Sequence, residues 1–360
     1  MNREQLTVLV TAIGGGGVGE QILKALRLAG GYRIVGADLR PRTAQFAFVD
    51  EPVLLPPAAH QDYVDALLTV CRKLDVNAVF PGSEPELRVM SESRARLEVA
   101  GLFLPINPER VIRIGMDKLA TADFLQAHGF KPPRSERATE LEDLATVDWF
   151  PVVVKPVVAS GGSRDCYVAQ TPRQLELIAE YLLAGGAEIM VQEYVGRADD
   201  EYTVGILHDM DGEFINSIGI RRLLQGQLHQ RVSVRNITGR RELGDILVIS
   251  SGVSHGQVDR YPEVTGPCER IALELGVRGA VNVQCRLVDR EVRVFEINPR
   301  LSGTTSIRAM VGYNEPDILL RRHLLGEKIE PRFPYRSALV MRSVSEHIVP
   351  ERQIPSWESL

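Results

Sequence analysis

At 360 residues, 44% hydrophobic and 25% charged, the chain has ordinary soluble composition and is long enough for two or three packed domains. Its 42 basic residues against 47 acidic ones leave a net charge of −5, which argues against a general nucleic-acid surface. Cys71, Cys166, Cys268 and Cys285 are scattered without CxxC spacing, and no apolar run approaches about 18 residues or follows a basic start. A reduced, cytoplasmic chain with no membrane partner is expected.

The first block alternates strand and helix. LTVLVTAIG (6–14) is β-rich, GEQILKALRLAG has helical spacing, YRIVGAD is a second strand, YVDALLTVCRKLD a second helix and VNAVFPG a third strand. This alternation predicts a parallel sheet flanked by helices. A boundary falls near Pro108, followed by a helix containing Lys118 and a proline-marked exit at Pro132 and Pro133. Beyond FPVVVKP, strands dominate, interrupted by the helix PRQLELIAEYLLAG.

The glycine loop after the first strand carries two readings. Gly14, Gly16 and Gly19 fit G-x-G-x-x-G, and Asp38 ends the next strand where a ribose-binding acid of an NAD site would stand. Equally, glycines let any tight strand-to-helix turn form and let the helix pack closely. An NAD-dependent oxidoreductase is therefore the alternative from another class, and the rest of the chain argues against it.

Lys155 ends a strand-like run and precedes Ser160, Gly161, Gly162 and Ser163, a small loop with free backbone donors that can close over phosphates. Further on, IMVQEYV places Glu193, Tyr194 and Val195 at a strand end, where backbone can pair with an adenine, and Glu201 begins DEYTVGIL, where a carboxylate can bind ribose. GAVNVQCRLVDREVRVFEINPR reads as two antiparallel strands joined at Asp289 and Arg290. Gln284 and Glu296 then face the same side, and Asn298 returns to it two residues on. Oxygen ligands with one full negative charge suit Mg²⁺ held chiefly by nucleotide phosphates. Arg300 can neutralise a transferred phosphoryl group, or Glu296 and Arg300 can simply pair as buried ions.

Together, FEINPRLSG, NVQC, KPVVASGGS, QEYV and GMDKLATADFLQAHG resemble the ATP-grasp superfamily over about residues 6 to 330. The nearest resemblance is to one synthetase half of the carbamoyl phosphate synthetase large subunit and its stand-alone carboxylate-amine ligase relatives. It implies an α/β Rossmann-like pre-ATP-grasp domain over 1–107, followed by α+β ATP-grasp subdomains. These would be a small subdomain with the glycine loop over 108–190, a large one with the metal site over 191–335, and a strand and tail over 336–360. It also implies phosphorylation of a carboxylate by ATP, attack by an amine or other nucleophile, and release of ADP and phosphate. In that scheme Lys118 and Lys155 contact ATP, while Gly161, Gly162 and Ser163 cover its phosphates. Glu193, Tyr194 and Val195 form the adenine hinge, and Glu201 holds ribose. Gln284, Glu296 and Asn298 bind Mg²⁺, with Glu296 bridging two ions, and Arg300 stabilises an acyl phosphate. Gln284 matches the carbamoyl phosphate synthetase pattern. The chain nevertheless carries one ATP site and no recognisable glutaminase, which favours a free-standing ligase over phosphorylation of bicarbonate or carbamate.

Substrate residues are expected in three places. Ser302, Gly303, Thr304, Thr305 and Ser306 stand at a helix start, where a carboxylate could bind or hydroxyls could cap the helix. Arg221, Arg222, Arg231 and Arg235 surround one glycine turn, and from that cluster Arg222 and Arg231 are the catalytic candidates. Ser83 and Glu84 follow the third strand, where Glu84 could hold a substrate amine. His229 and His255 read as surface residues. The expected partners are a small carboxylate and an amine, with a homodimer compatible.

Overall fold

The computed structural model describes residues 2–158, 165–226, 228–351 and 354–355. Four short parallel strands, β1 (Thr7–Val10), β2 (Arg33–Asp38), β3 (Glu51–Leu54) and β4 (Ala78–Phe80), form a sheet in the order β3-β2-β1-β4. Helices α1 (Val18–Ala29), α2 (Tyr63–Lys73), α3 (Glu84–Glu92) and α4 (Arg94–Val99) accompany it. β3 goes beyond the three expected strands: it has four residues, carries Pro52, lies at the sheet edge and buries only Leu54. A short, proline-bearing edge strand shows none of the apolar run that marks a central one.

Two helices then stand where one was expected, α5 (Glu109–Met116) and α6 (Lys118–Ala127). Asp117 separates them in extended backbone, and its carboxylate accepts the N–H groups of Leu119 and Ala120, each at 2.9 Å. This is an N-cap, so Lys118 opens the second helix and does not lie inside a longer one.

A second, antiparallel sheet comprises β5 (Ser135–Ala138), β6 (Val152–Pro156), β7 (Tyr167–Ala169) and β8 (Ile189–Glu193) in the order β5-β8-β6-β7, with α7 (Pro172–Ala184) packed on it. The third is the largest. It orders β15 (Glu291–Asn298), β14 (Ala280–Val288), β9 (Glu201–His208), β10 (Phe214–Arg222), β13 (Gly256–Asp259) and β16 (Ala338–Val340), all antiparallel. A separate ribbon pairs β11 (Gln230–Arg235) with β12 (Ile246–Ser250). Helices α8 (Pro262–Leu275), α9 (Thr305–Met310) and α10 (Glu315–His323) complete the fold. No helix among the described residues is long and apolar enough to cross a membrane, and the four cysteines form no disulfide with one another.

The packing redraws the expected subdomain limits. β8 belongs wholly to the small sheet, so a boundary at 190/191 would cut a strand. Val111, Phe124 and Leu125 of α5 and α6 share a core with Val204, Val283 and Ile297, which attaches these helices to the large sheet. β16 is that sheet's edge strand and not part of a separate tail. The first domain also shares a core with the large sheet, through Ile22 and Leu26 of α1 and Ile307 and Leu319 of α9 and α10.

The third glycine of the G-x-G-x-x-G loop has a packing role. Gly19 donates its N–H to the Gly82 carbonyl at 3.3 Å. A Cβ at Gly82 would lie 1.8 Å from the Thr11 oxygen and 2.8 Å from the Gly19 Cα. Gly82→Ala must therefore push β1, α1 and the exit of β4 apart. Its melting transition is expected to fall by the equivalent of at least about 2 kcal/mol. A variant that melts with the wild type would contradict this close approach.

Candidate active site

A cleft of about 560 Å³ lies where the large sheet, the small sheet, the ribbon and the first domain meet. Its floor is the β14–β15 hairpin. Alternation along β14 buries Val281, Val283 and Cys285 in the core and turns Asn282, Gln284 and Arg286 to the cleft. The strands close through Asp289 and Arg290, at φ 50° and 65°, a two-residue turn with both residues left-handed. The register sets Gln284 opposite Glu296 and Asn282 opposite Asn298, so Gln284, Glu296 and Asn298 share the side expected of them. It then slips, with Cys285 opposite Val294, so Phe295 is an extra residue. This bulge lets Phe295 and Glu296 both line the cleft, which strict alternation forbids.

Gln284 Nε2 donates to Glu296 Oε2 at 2.7 Å, and Asn298 is buried beside them. Among the described residues no cluster of three His, Cys, Asp or Glu side chains could hold a metal. The donor set is thus two amides and one carboxylate. It fits a hard cation that draws most of its ligands from a bound phosphate chain, and does not fit a self-sufficient protein cage. Glu296 and Arg300 are not partners. Arg300 Nη2 instead meets Glu84 Oε1 at 2.6 Å, across 216 residues of sequence.

Glu201 differs most from expectation. It is 1% exposed, and one oxygen accepts Arg222 Nη1 at 2.8 Å while the other accepts Arg286 Nη2 at 3.0 Å. Both oxygens are taken, so the ribose reading is corrected: Glu201 holds two arginines. Burial pushes its carboxyl up, but Arg222 and Arg286 outweigh that and keep it below the usual carboxylate range. Arg222 also reaches Ser250 Oγ at 2.6 Å, the Ser251 carbonyl at 2.7 Å and Gln284 Oε1 at 3.3 Å. The arginine cluster does not form one hairpin. Arg221 and Arg222 end β10, where they pair with Gly256 and Gln257, whereas Arg231 and Arg235 belong to the ribbon. Arg222 and the exposed Arg231 line the cleft; Arg221 points away to the Asp199 carbonyl.

Opposite the floor, Lys155 is buried and donates to Gln192 Oε1 at 2.7 Å. Burial, then the neighbouring Lys118, lowers its pKa from 10.5 to about 8. Lys118 and Cys166 line the same wall. Gly161, Gly162 and Ser163, expected to cover phosphates, lie outside the described residues. At the hinge, Glu193, Tyr194 and Val195 all line the cleft. The Tyr194 hydroxyl accepts the Val248 N–H at 2.8 Å, its ring packs under the Arg286 guanidinium at 4.5 Å, and the Val195 carbonyl accepts Arg286 Nη1 at 3.1 Å. Glu193 stays partly exposed, 3.9 Å from both Arg240 and Arg293.

The substrate candidates divide. Glu84, Ser302, Gly303 and Thr304 line the cleft. Ser83 does not: it caps α3, donating to Glu86 Oε2 at 2.8 Å and accepting the Glu86 N–H. Thr305 is turned into the core against Ser302 N–H and Glu315, and Ser306 bonds Gln21 at 2.6 Å. The hydroxyl run thus serves mainly to hold its own turn. His229 and His255 are buried, not surface residues, with ring centroids 3.4 Å apart and planes tilted by 34°. Asp38 does not present a free acid either, because its oxygens accept the N–H groups of Gly14 at 2.8 Å and Arg40 at 3.0 Å. Asn282, Arg286, Cys166, Phe295, Gly15 and Gly17 are cleft residues that the sequence reading missed, and Gly16 of the glycine motif lines the cleft with them. The polar alternation of VNVQCR could have revealed the first two.

Two family models match the chain. One, described as ATP-grasp in the biosynthetic pathway with Ter operon, covers residues 186–346; the other, a PylC-like N-terminal domain, covers residues 8–104. The carbamoyl phosphate synthase large chain of Thermoplasma volcanium is 25% identical over 77% of this chain and 26% of its own length. The chain thus spans about a quarter of that curated relative. Among solved structures, an L-amino acid ligase from Bacillus licheniformis superposes with a TM-score of 0.63 at 18% identity, covering 92% of this chain and 78% of its own. Biotin carboxylase from Campylobacter jejuni gives 0.60 at 15% identity, covering 88% and 70%. These likenesses establish a shared fold.

The lysine yields a pH test. Unfolded, Lys155 keeps its proton to about pH 10.5; folded, it releases it near 8, so the folded chain binds fewer protons between those values. Its contribution to stability is therefore lowest below pH 8 and rises from pH 8 to 10.5. Lys155→Met removes this dependence. The melting temperature of the variant minus that of the wild type is expected to shrink as pH rises from about 7 to about 10. A difference that stays constant with pH would contradict a depressed lysine.

Proposed function

Since the chain belongs to the ATP-grasp superfamily, we propose that it is an ATP-dependent ligase that phosphorylates a carboxylate and joins the acyl group to an amine, releasing ADP and phosphate. The observation that carries this reading is the convergence in one cleft of Lys118 and Lys155 from one wall, Gln284, Glu296 and Asn298 from the floor, and Arg300. Attack of a carboxylate on the γ-phosphate brings anion to anion, so cations must surround the meeting point. Gln284, Glu296 and Asn298 would hold Mg²⁺, with Glu296 shared if two ions bind, and the metal would supply charge neutralisation at the phosphates.

The chain's own groups do the rest. Burial lowers the pKa of Lys155 to about 8, and a bound phosphate would offset the cost of that burial and favour its charged form. Backbone at Glu193 to Val195 holds the adenine edge, and Glu193, the partly exposed acid of the hinge, takes the ribose role that Glu201 does not fill. Arg300, fixed by Glu84, presents its guanidinium to the acyl phosphate, and Arg222 and Arg231 add positive charge from the ribbon side. Positioning and electrostatics thus supply the catalysis without a covalent enzyme intermediate.

Glu296→Gln tests the reading. Arg300 is paired with Glu84, so the substitution strands no buried cation and the melting temperature should hold. ADP release, assayed across carboxylate and amine pairs, should fall by at least about 10²-fold. A folded variant with wild-type ADP release would put the site elsewhere.

A further inference from the structure

The β11–β12 ribbon carries charge that the cleft does not use. Residues 230–241, QRVSVRNITGRR, hold four arginines and no acid in a chain whose net charge is −5. Exposure alternates along β11, so Arg231, Ser233 and Arg235 share its outward face. Arg231 lines the cleft and Arg235 does not; at about 3.3 Å per residue the two stand about 13 Å apart, and the strand leads out of the cleft mouth. The backbone of Arg235 is fixed. Its carbonyl accepts Gln170 Nε2 at 2.9 Å, and Gln170 Oε1 accepts the Ile237 N–H at 2.8 Å. The turn beyond closes on Asn236, whose amide donates to the Arg240 and Gly244 carbonyls at 2.9 and 2.8 Å. Most of the guanidinium groups have no such ties. Arg240 turns back to Glu193 and Glu242, but among the described residues no acid lies within 4.0 Å of Arg231, Arg235 or Arg241. Ile246, opposite Arg235 across the ribbon, is 47% exposed, and Ile237 is 61% exposed.

We propose that this outward face is a docking track for an acidic polypeptide, and that the carboxylate activated in the cleft is carried by that polypeptide. The proposal rests on the ligase reading and names the class of its carboxylate substrate. Arginines spaced along a fixed strand and left without acids attract carboxylates. A small acid bound in the cleft meets Arg231 and stops short of Arg235, about 13 Å further on. A single exposed ion pair is weak, whereas a chain carrying several carboxylates brings each to the next arginine at high effective concentration. The two isoleucines choose among polyanions. They offer apolar contact to the side chains of a polypeptide, and a polyphosphate has nothing apolar to lay against them. β11 and β12 contain no aromatic ring on which a nucleic-acid base could stack.

The test uses the full chain with Mg²⁺ and a non-hydrolysable ATP analogue. Fluorescence anisotropy follows a labelled peptide of glutamate and leucine, its counterpart with glutamine in place of glutamate, and inorganic polyphosphate and oligothymidylate of matched charge. The acidic peptide is expected to bind at least about 10-fold tighter than the other three, and to weaken as salt rises. Arg235→Gln combined with Arg241→Gln, both exposed and outside the cleft, should weaken the peptide at least about 5-fold and leave the ATP analogue unchanged. In ADP-release assays with ATP, KM for the peptide should lie below that for free glutamate, and the double variant should raise the peptide's KM alone. The proposal is overturned if the glutamine counterpart or another polyanion binds as tightly, if the double variant binds the peptide normally, or if the peptide binds without supporting ADP release. A wild-type dimer that the double variant turns into a monomer would also overturn it, by giving the track to a second copy of the chain. Failure of the ATP analogue to bind would instead count against the ligase reading, and anisotropy of the nucleotide-free protein would still decide the docking.

Discussion

Everything about the cleft depends on one buried carboxylate, Glu201, held between Arg222 and Arg286. Arg286 reaches the carbonyls of Val195, Gly196 and Val248, and Arg222 reaches Ser250, Ser251 and Gln284. One ionic cluster therefore ties the hinge, the ribbon and the hairpin floor to a single point on β9. Two cations and one anion in a dry interior are tolerable only because nearly every donor is satisfied, and loss of the anion alone would cost on the order of 3–5 kcal/mol. The cluster leaves a net positive charge beneath the place where phosphates would lie.

A second buried pair supports the floor from the other side. Arg308 and Glu315 are fully buried and joined at 2.8 Å, and Arg308 also bonds Asn282. Room for its guanidinium exists because residue 205 is glycine: a Cβ there would lie 2.2 Å from Nη1. The chain thus spends buried charge on fixing polar side chains whose amides and carboxylate remain aimed at the cleft. The first domain contributes less charge but closes the far end, through Glu84 on Arg300 and the glycine turn beside it.

The hairpin was legible because its information is local. Two antiparallel strands and their two-residue turn could be read from the residues, but it is the bulge at Phe295 that brings Glu296 and Asn298 to the side of Gln284. Alternating strand and helix likewise revealed the parallel sheet, though not β3, whose edge position makes no demand on its residues. Tertiary partners were not legible. Nothing in DEYTVGIL says that Glu201 meets arginines 21 and 85 residues away, and Ser83 and Thr305 show that a hydroxyl near a site is often absorbed by a cap or a core acid. The bulge at Phe295 was hidden for the same reason, since register slips arise from packing across the sheet. Of the two readings of the glycine motif, Gly19 fits the turn that permits close approach. What it approaches, Gly82, became visible only in three dimensions.

The account stands on the claim that this cleft is built for a triphosphate with a hard cation. Calorimetric titration of the wild-type chain with ATP, with and without Mg²⁺, and with NAD measures it most directly. Saturable ATP binding that strengthens with Mg²⁺, together with no heat from NAD, is the predicted result. Tight NAD binding with none for ATP would mean that the glycine loop is a dinucleotide site and that the hairpin floor is scaffolding.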